Sequence, residues 1–233
     1  MKEREFLTSI IKEAAKLIAG EMDINEKDDK GDLVTNFDFA VEKFLISKIQ
    51  AEYPDFYIIS EEFNPDNEAK GDYFTIDPID GTINFAHNIP LWGIQVACVK
   101  NNKTIASAIY LPRFDEMYSA DETGAYLNGQ PIHVNSDDEF HGIYDIATSE
   151  DVLDEKSISL RNMHSRDLWS SAVQRSWVAC GKISAILYSL KDNYIWDITP
   201  GDFLIEQAGG VIFDVGDVRI AANSKSWANL LRK

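Results

Sequence analysis

A layered α+β or α/β protein is what the order of elements predicts: amphipathic helices at the start, short apolar strands through the middle, and helices again toward the end. Composition supports this, because 45% hydrophobic and 26% charged residues are ordinary globular values. At 233 residues the chain can bury a core without staples, which excludes the disordered and disulfide-scaffold classes. There is no internal repeat or low-complexity linker, so residues 1–233 read as a single domain with a possible subdomain seam near 135–145.

Phe6, Ile10, Ala14, Leu17 and Ile18 recur at helical spacing and predict a first helix from Glu3 to Glu21. The charged stretch from Asn25 to Gly31 reads as an exposed loop. A second helix is predicted from Asn36 to Glu52, capped by Thr35 or Asn36. Strands are expected at Phe56–Ile59, Tyr73–Ile76, Gly93–Val99 and Thr104–Tyr110, where apolar and β-branched residues run together. Shorter ones follow at Tyr118–Ala120, Gly124–Leu127 and Ile132–Val134, with Asn128-Gly129 turning between the last two, and another at Ile143–Thr148. Helices then resume at Ser176–Leu190 and Thr199–Ala208. Gly209-Gly210 stops the latter before a strand at Val211–Asp214.

Charge narrows the partners. With 22 basic and 39 acidic residues the net charge is −17, which argues against nucleic acid, whose binding needs a basic face, and against anionic lipid. No apolar window approaches a membrane span, and the N-terminus runs straight into the helical pattern without a signal-type core. Cys98 and Cys180 lie in apolar contexts with no metal spacing, as expected of reduced thiols in a cytoplasmic protein.

The segment Asp77-Pro78-Ile79-Asp80-Gly81-Thr82 follows a strand and holds two carboxylates three residues apart. Carboxylates so close repel unless a cation neutralises them, and an all-oxygen set suits a hard ion such as Mg²⁺. Gly81 and Thr82 then offer backbone N–H groups that can hold a phosphate oxygen if a helical turn begins there. The plain alternative is a turn capped by acids. Glu61-Glu62 after a strand, Asp38 at a helix start and Asp197 before Thr199-Pro200-Gly201 are each unremarkable alone: a solvated loop, a dipole-complementing acid and an N-cap. The four histidines form no zinc-type pair, and P-loop, G-x-S-x-G and G-x-G-x-x-G motifs are absent.

Together these pieces resemble the inositol monophosphatase family of Mg²⁺-dependent, lithium-sensitive phosphatases. The resemblance rests on Asp32-Leu-Val-Thr-Asn-Phe-Asp38, Ser60-Glu61-Glu62, Asp77-Pro-Ile-Asp-Gly-Thr-Ile-Asn-Phe85, Trp196-Asp-Ile-Thr-Pro-Gly201 and Glu206-Gln-Ala-Gly-Gly210, in that order from about residue 10 to 220. It implies an α-β-α-β-α sandwich, a homodimer and two or three Mg²⁺ ions. Glu61, Asp77 and the Ile79 carbonyl would hold the first ion, Asp77, Asp80 and Asp197 the second, and Glu61 would touch a weaker third. Asp38 and Thr82, with Glu61, would orient and activate water, while Gly81, Thr82 and Asp197 would face the substrate. The implied reaction is hydrolysis of a small phosphomonoester by direct water attack, with a phospho-aspartate as the mechanistic rival.

The chain also departs from the family pattern. Trp169 heads Trp169-Ser-Ser-Ala172 where a small residue is usual. The acid that family members use to hold inositol hydroxyls should fall near Tyr188–Leu190, where the nearest acid is Asp192. Losing that acceptor costs roughly 1–3 kcal/mol per unpaired hydroxyl, which disfavours inositol phosphate as the natural substrate. Ile83-Asn84-Phe85 resembles the inositol-phosphatase branch, while Arg161, Arg166 and Arg175 are basic residues that could meet a second phosphate. NADP 2′-phosphate and fructose 1,6-bisphosphate stay open as substrates, and a catalytically silent metal-binding protein is the alternative of another class.

Overall fold

The computed structural model describes residues 2–27, 32–137, 142–147, 164–189 and 194–227. The helices are α1 (Lys2–Ala15), α2 (Asn36–Glu52), α3 (Thr82–Ala86), α4 (Ser171–Ala179) and α5 (Ile195–Gln207). A seven-stranded sheet runs in chain order through β3 (Tyr57–Ser60), β4 (Tyr73–Asp80), β5 (Gly93–Lys100), β6 (Lys103–Leu111), β7 (Glu116–Asp121), β8 (Gly124–Leu127) and β9 (Gln130–Pro131). Only β3 and β4 are parallel; the rest is an antiparallel meander. A five-stranded sheet has the order β11 (His164–Arg166), β10 (Ile143–Ala147), β12 (Ala185–Ser189), β14 (Val218–Ala222), β13 (Val211–Val215). A small ladder joins β1 (Ile24–Glu26) to β2 (Leu33–Thr35).

The layers follow from strand periodicity. Ile94, Val96, Cys98, Ala106 and Ala108 point to one face of the large sheet and pack with Leu7, Ile11, Val41 and Leu45 of α1 and α2. Ile109 and Leu111, of opposite parity, join Val173 of α4, Leu204 of α5 and Ile186 and Tyr188 of the second sheet. The α4–α5 pair therefore lies between the two sheets. Ala185 and Leu187 alternate outward to meet Tyr144, Ile220 and Trp227. The described residues thus stack as helices, sheet, helices, sheet.

Several boundaries differ from the sequence expectation. The first helix ends at Ala15, because Lys16, Leu17 and Ile18 make only short-range turn bonds before Gly20 at φ +110°. Asn25 and Glu26 are paired in β1 rather than looped, with residues 28–31 outside the described set. Ile132–Val134 is not a strand: its ladder place goes to Gln130–Pro131, and the Val134 N–H is drawn to the Ala208 carbonyl across the core. Asn128-Gly129 does turn there, with φ +49° and +80°.

The expected helix at Ser176–Leu190 is two elements, the last turns of α4 and the strand β12. Gly181 at φ +78° breaks the helix, and Ala185–Ser189 pairs with β10 and β14, a tertiary choice that periodicity cannot foresee. Helix α5 starts at Ile195, four residues before Thr199, and carries Pro200 inside it. The short strand at His164–Arg166 and the strand Val218–Ala222 were not expected. Thr148, Leu190, Asp192 and Arg161 lie outside the described residues.

Candidate active site

Because β3 and β4 are parallel, their C-terminal ends coincide, and both end in acids. Glu61 follows β3, and Asp77 and Asp80 close β4. In a regular strand, residues three apart face opposite sides. Here Asp77 pairs with Gln95 and Asp80 with Gly93, so β4 advances three residues against two on β5. Pro78, lacking an N–H, lies within this bulge. The irregularity helps Asp77 and Asp80 converge with Asp197, and oxygens of the three lie within 4.8 Å of one another.

Asp80 is held by the start of α4. Its Oδ1 accepts the Ser171 N–H at 3.0 Å, and its Oδ2 accepts the Ala172 N–H at 2.8 Å and the Ser170 hydroxyl. Ser170 also caps the helix, its Oγ accepting the Val173 N–H at 3.3 Å. Gly93 makes room for this approach, since a Cβ there would stand 2.9 Å from the Ala172 Cβ and 3.0 Å from the Tyr110 carbonyl. Asp77 is wholly buried: Oδ2 accepts the Gln95 amide at 3.2 Å, and Oδ1 has no hydrogen-bond partner among the described residues. Asp197 is not the N-cap but the third residue of α5, and its Oδ2 accepts the Tyr194 N–H at 2.9 Å.

Asp38 occupies the same position in α2. Its Oδ2 accepts both the Thr35 N–H at 2.8 Å and the Thr35 hydroxyl at 2.5 Å, completing a capping box with Thr35 as N-cap. Its Oδ1 is buried and unpartnered among the described residues. Gly81, at φ +83°, precedes the one-turn helix α3, and Thr82 opens it with its hydroxyl donating to the Ile79 carbonyl at 2.9 Å. Only glycine adopts that backbone without strain, and a side chain there would also strike the Leu91 carbonyl at 3.0 Å.

Glu61 stands beside the three aspartates rather than among them. Lys27 reaches from β1 to place its ammonium 2.7 Å from Glu61 Oε1 and 2.5 Å from Glu62 Oε1. The loop reading of Glu61-Glu62 therefore gives way to a half-buried ion-paired turn. Glu42, fully buried on α2, accepts the Glu62 and Phe63 N–H groups at 2.8 Å each and fixes that turn.

Burial sets the electrostatics. It pushes Asp77 well above the ordinary carboxylate range, and Glu61, Asp80 and Asp197 add to the shift. Asp197 is pushed up to about 7 by burial and then by Asp80. Glu61 rises to about 7 by burial and Glu62, against the opposing charge of Lys27. Asp80 and Asp38 rise by burial too, opposed by the hydrogen bonds just described. Orphaned carboxylate oxygens, oxygen-only donors and mutual repulsion are what a hard divalent cation relieves, so these residues fit Mg²⁺.

Lys27, Glu42, Gln95 and Ser170 were not singled out from sequence. Glu42 had a signal, an acid one turn after Asp38 on the same face, while Gln95 looked like any strand residue. Arg175 is corrected: it is fully buried, its Nε 3.1 Å from Asp202 Oδ1 and its guanidinium over the Tyr188 ring at 4.4 Å, so it meets no ligand at the surface. Arg166 is exposed.

Comparison with known proteins agrees with this geometry. The model of the inositol monophosphatase family matches residues 3–229. An inositol monophosphatase of Dictyostelium discoideum is 32% identical over 198 residues, covering 78% of this chain and 72% of that protein. The solved Thermotoga maritima IMPase shares the fold with a TM-score of 0.89 at 24% identity, covering 100% of this chain and 96% of that one. An IMPase/NADP phosphatase solved with Mg²⁺ and phosphate aligns with a TM-score of 0.83 at 22% identity, over 98% and 91% of the two chains.

Proposed function

The chain belongs to the inositol monophosphatase family, and on that premise we propose that it is a Mg²⁺-dependent phosphomonoesterase hydrolysing a small phosphorylated metabolite. The observation that carries this reading is the convergence of Asp77, Asp80 and Asp197 within 4.8 Å, two of them buried. A phosphate monoester is a dianion, and a site built from carboxylates receives it only alongside cations. Two or three Mg²⁺ ions, held by Glu61, Asp77, the Ile79 carbonyl, Asp80 and Asp197, would neutralise phosphate charge and lower the pKa of the attacking water.

The chain's own residues supply the rest. Thr35 pins one oxygen of Asp38, leaving the unpartnered Oδ1 to accept a proton from water. The Thr82 hydroxyl donates to the Ile79 carbonyl, which leaves its own oxygen free to accept from the same water. Glu61, on the turn that Glu42 fixes, completes the catalytic set as a carboxylate that would hold the ion beside that water. Gly81 and Thr82 would hold phosphate oxygens at the start of α3, and Asp197 would border the substrate. The water oxygen forms a new bond to phosphorus as the ester P–O bond breaks opposite it; the proton lost by water is balanced by one gained by the leaving alcohol.

Residues 1–233 would form one phosphatase domain with a seam near 135–145, a reading supported by the first large sheet ending at Pro131 and the second opening at Ile143. Cytoplasmic placement is supported by the unpaired thiols of Cys98 and Cys180. A homodimer belongs to the same reading and is tested by light scattering. A small-molecule partner, rather than nucleic acid or membrane, suits the net charge of −17. No helix among the described residues is long and apolar enough to cross a membrane.

The test is phosphate release from inositol 1-phosphate, NADP and fructose 1,6-bisphosphate, with and without Mg²⁺, by wild type and Asp77→Asn. Metal-dependent release lost in the variant supports the reading, and inhibition by Li⁺ extends it to the second ion. Metal binding without release from any substrate would favour the catalytically silent alternative.

A further inference from the structure

The chain has five tryptophans. Trp92 packs on Phe85, Trp177 on Phe114, Trp196 on Tyr194 and Trp227 on Tyr144. Trp169 stacks on no ring among the described residues and is 68% exposed. Its backbone is left-handed, φ +51°, a conformation that costs a bulky residue and that glycine would adopt freely. A large apolar side chain kept in solvent, on strained backbone, points to use rather than packing.

Its surroundings say what the use is. The Trp169 carbonyl lies 3.3 Å from where a Gly81 side chain would begin, so Trp169 borders the proposed phosphate cradle. The rim is held on both sides of it. Asp145 Oδ2 accepts the Leu168 N–H at 3.1 Å, the Asn84 amide donates to the Leu168 carbonyl at 2.9 Å, and Ser170 bonds Asp80. The Trp169 backbone thus belongs to a preorganised stretch beside the proposed phosphate cradle, and its indole extends from that stretch into solvent. Ile83, two residues beyond Gly81, is also 40% exposed. The Tyr188 hydroxyl donates to Asp202 at 2.8 Å, and Arg175 packs against both; Tyr188 and Arg175 are fully buried, so neither offers a surface grip for a substrate hydroxyl.

We propose that Trp169 determines substrate class by stacking on a planar ring in the alcohol part of the phosphomonoester, and that the ring is a nucleobase. The proposal rests on the phosphomonoesterase reading and deepens it. A saturated polyol is gripped through its hydroxyls, whereas a flat exposed indole offers a π face that any base can cover.

The test compares the full chain with Trp169→Gly and Trp169→Phe in the presence of Mg²⁺. Substrates are adenosine 2′-monophosphate, inositol 1-phosphate and β-glycerophosphate, which carry a base, a saturated ring and no ring. The glycine variant should raise KM for the nucleotide about tenfold more than for the other two, with the phenylalanine variant close to wild type. It should also melt no lower than wild type, which separates lost stacking from lost folding. Equal KM changes on all three substrates, or the largest change on inositol 1-phosphate, would overturn the proposal. A second readout needs no turnover: with Ca²⁺ in place of Mg²⁺, adenosine 2′-monophosphate should quench indole fluorescence in wild type and less in Trp169→Phe. Identical quenching, or none, overturns the proposal. Failure to hydrolyse any substrate would instead strike the phosphatase reading itself.

Discussion

The Lys27 ammonium lies 2.7 Å from Glu61 and 2.5 Å from Glu62, so a cation from the chain itself sits on the turn whose carboxylate is proposed to hold the first Mg²⁺. Burial opposes the charge on Lys27, but the two glutamates outweigh it and keep the amine protonated. Lysine and metal are therefore rivals for Glu61.

Lys27→Met should tighten Mg²⁺ binding several-fold while destabilising the metal-free protein by roughly 1–3 kcal/mol, since Glu61 and Glu62 lose their counter-charge. Isothermal calorimetry with Mg²⁺ and thermal melts of the stripped protein measure the two effects. Weaker metal binding in the variant would show that Lys27 assists the ion instead.

Asp77→Asn should lower phosphatase activity by orders of magnitude and raise the melting temperature of the metal-free protein. Asp77 is buried, with Glu61, Asp80 and Asp197 all pushing its pKa upward, so its ionised form is a net cost to the fold without a cation. Melts in EDTA check the sign.

In EDTA, stability should fall as pH rises from about 5 to about 8. Glu61 and Asp197 are both pushed up to about 7 when folded, from 4.5 and 3.8. The folded state binds the extra protons, so their stabilisation is full below the unfolded values and lost as pH climbs through about 7. Saturating Mg²⁺ should flatten this slope, because the ion compensates the ionised carboxylates. Denaturant midpoints across this range, with and without metal, provide the comparison.

Ser170→Ala should cost roughly 1–2 kcal/mol, the usual worth of a helix N-cap. It should also weaken metal binding, since the same hydroxyl holds Asp80. A stability loss with unchanged metal affinity would show that Ala172 and Ser171 suffice to place the carboxylate.

Arg175→Met should destabilise the fold by roughly 1–3 kcal/mol, because Asp202 loses its partner in the α4–α5 seam while keeping the Tyr188 hydroxyl and the nearby Arg219. Replacing Asp202 as well, by Gly, should recover much of the loss. Denaturant melts of the two single variants and the pair give the coupling directly.

What the sequence determined by itself was local chemistry and order. The second helix and its Thr35 cap were legible from apolar period and a capping residue. So were the Asn128-Gly129 turn and the paired acids Asp77 and Asp80, because each signal lies within a few neighbouring residues, whereas Asp38, Glu61 and Asp197 are unremarkable alone and stand out only through the resemblance of several segments in order. Tertiary structure decided the rest. Ala185–Ser189 reads as helix until β10 and β14 claim it, since strand pairing is non-local. The Asp77–Asp80 bulge depends on the register with Gln95 and Gly93, which belong to another strand. Lys27 on Glu61, Arg175 beneath Tyr188 and Ser170 on Asp80 join residues 34, 13 and 90 positions apart. Nothing in a linear pattern encodes such pairs, because burial and charge compensation are settled only when the sheets and helices close on one another.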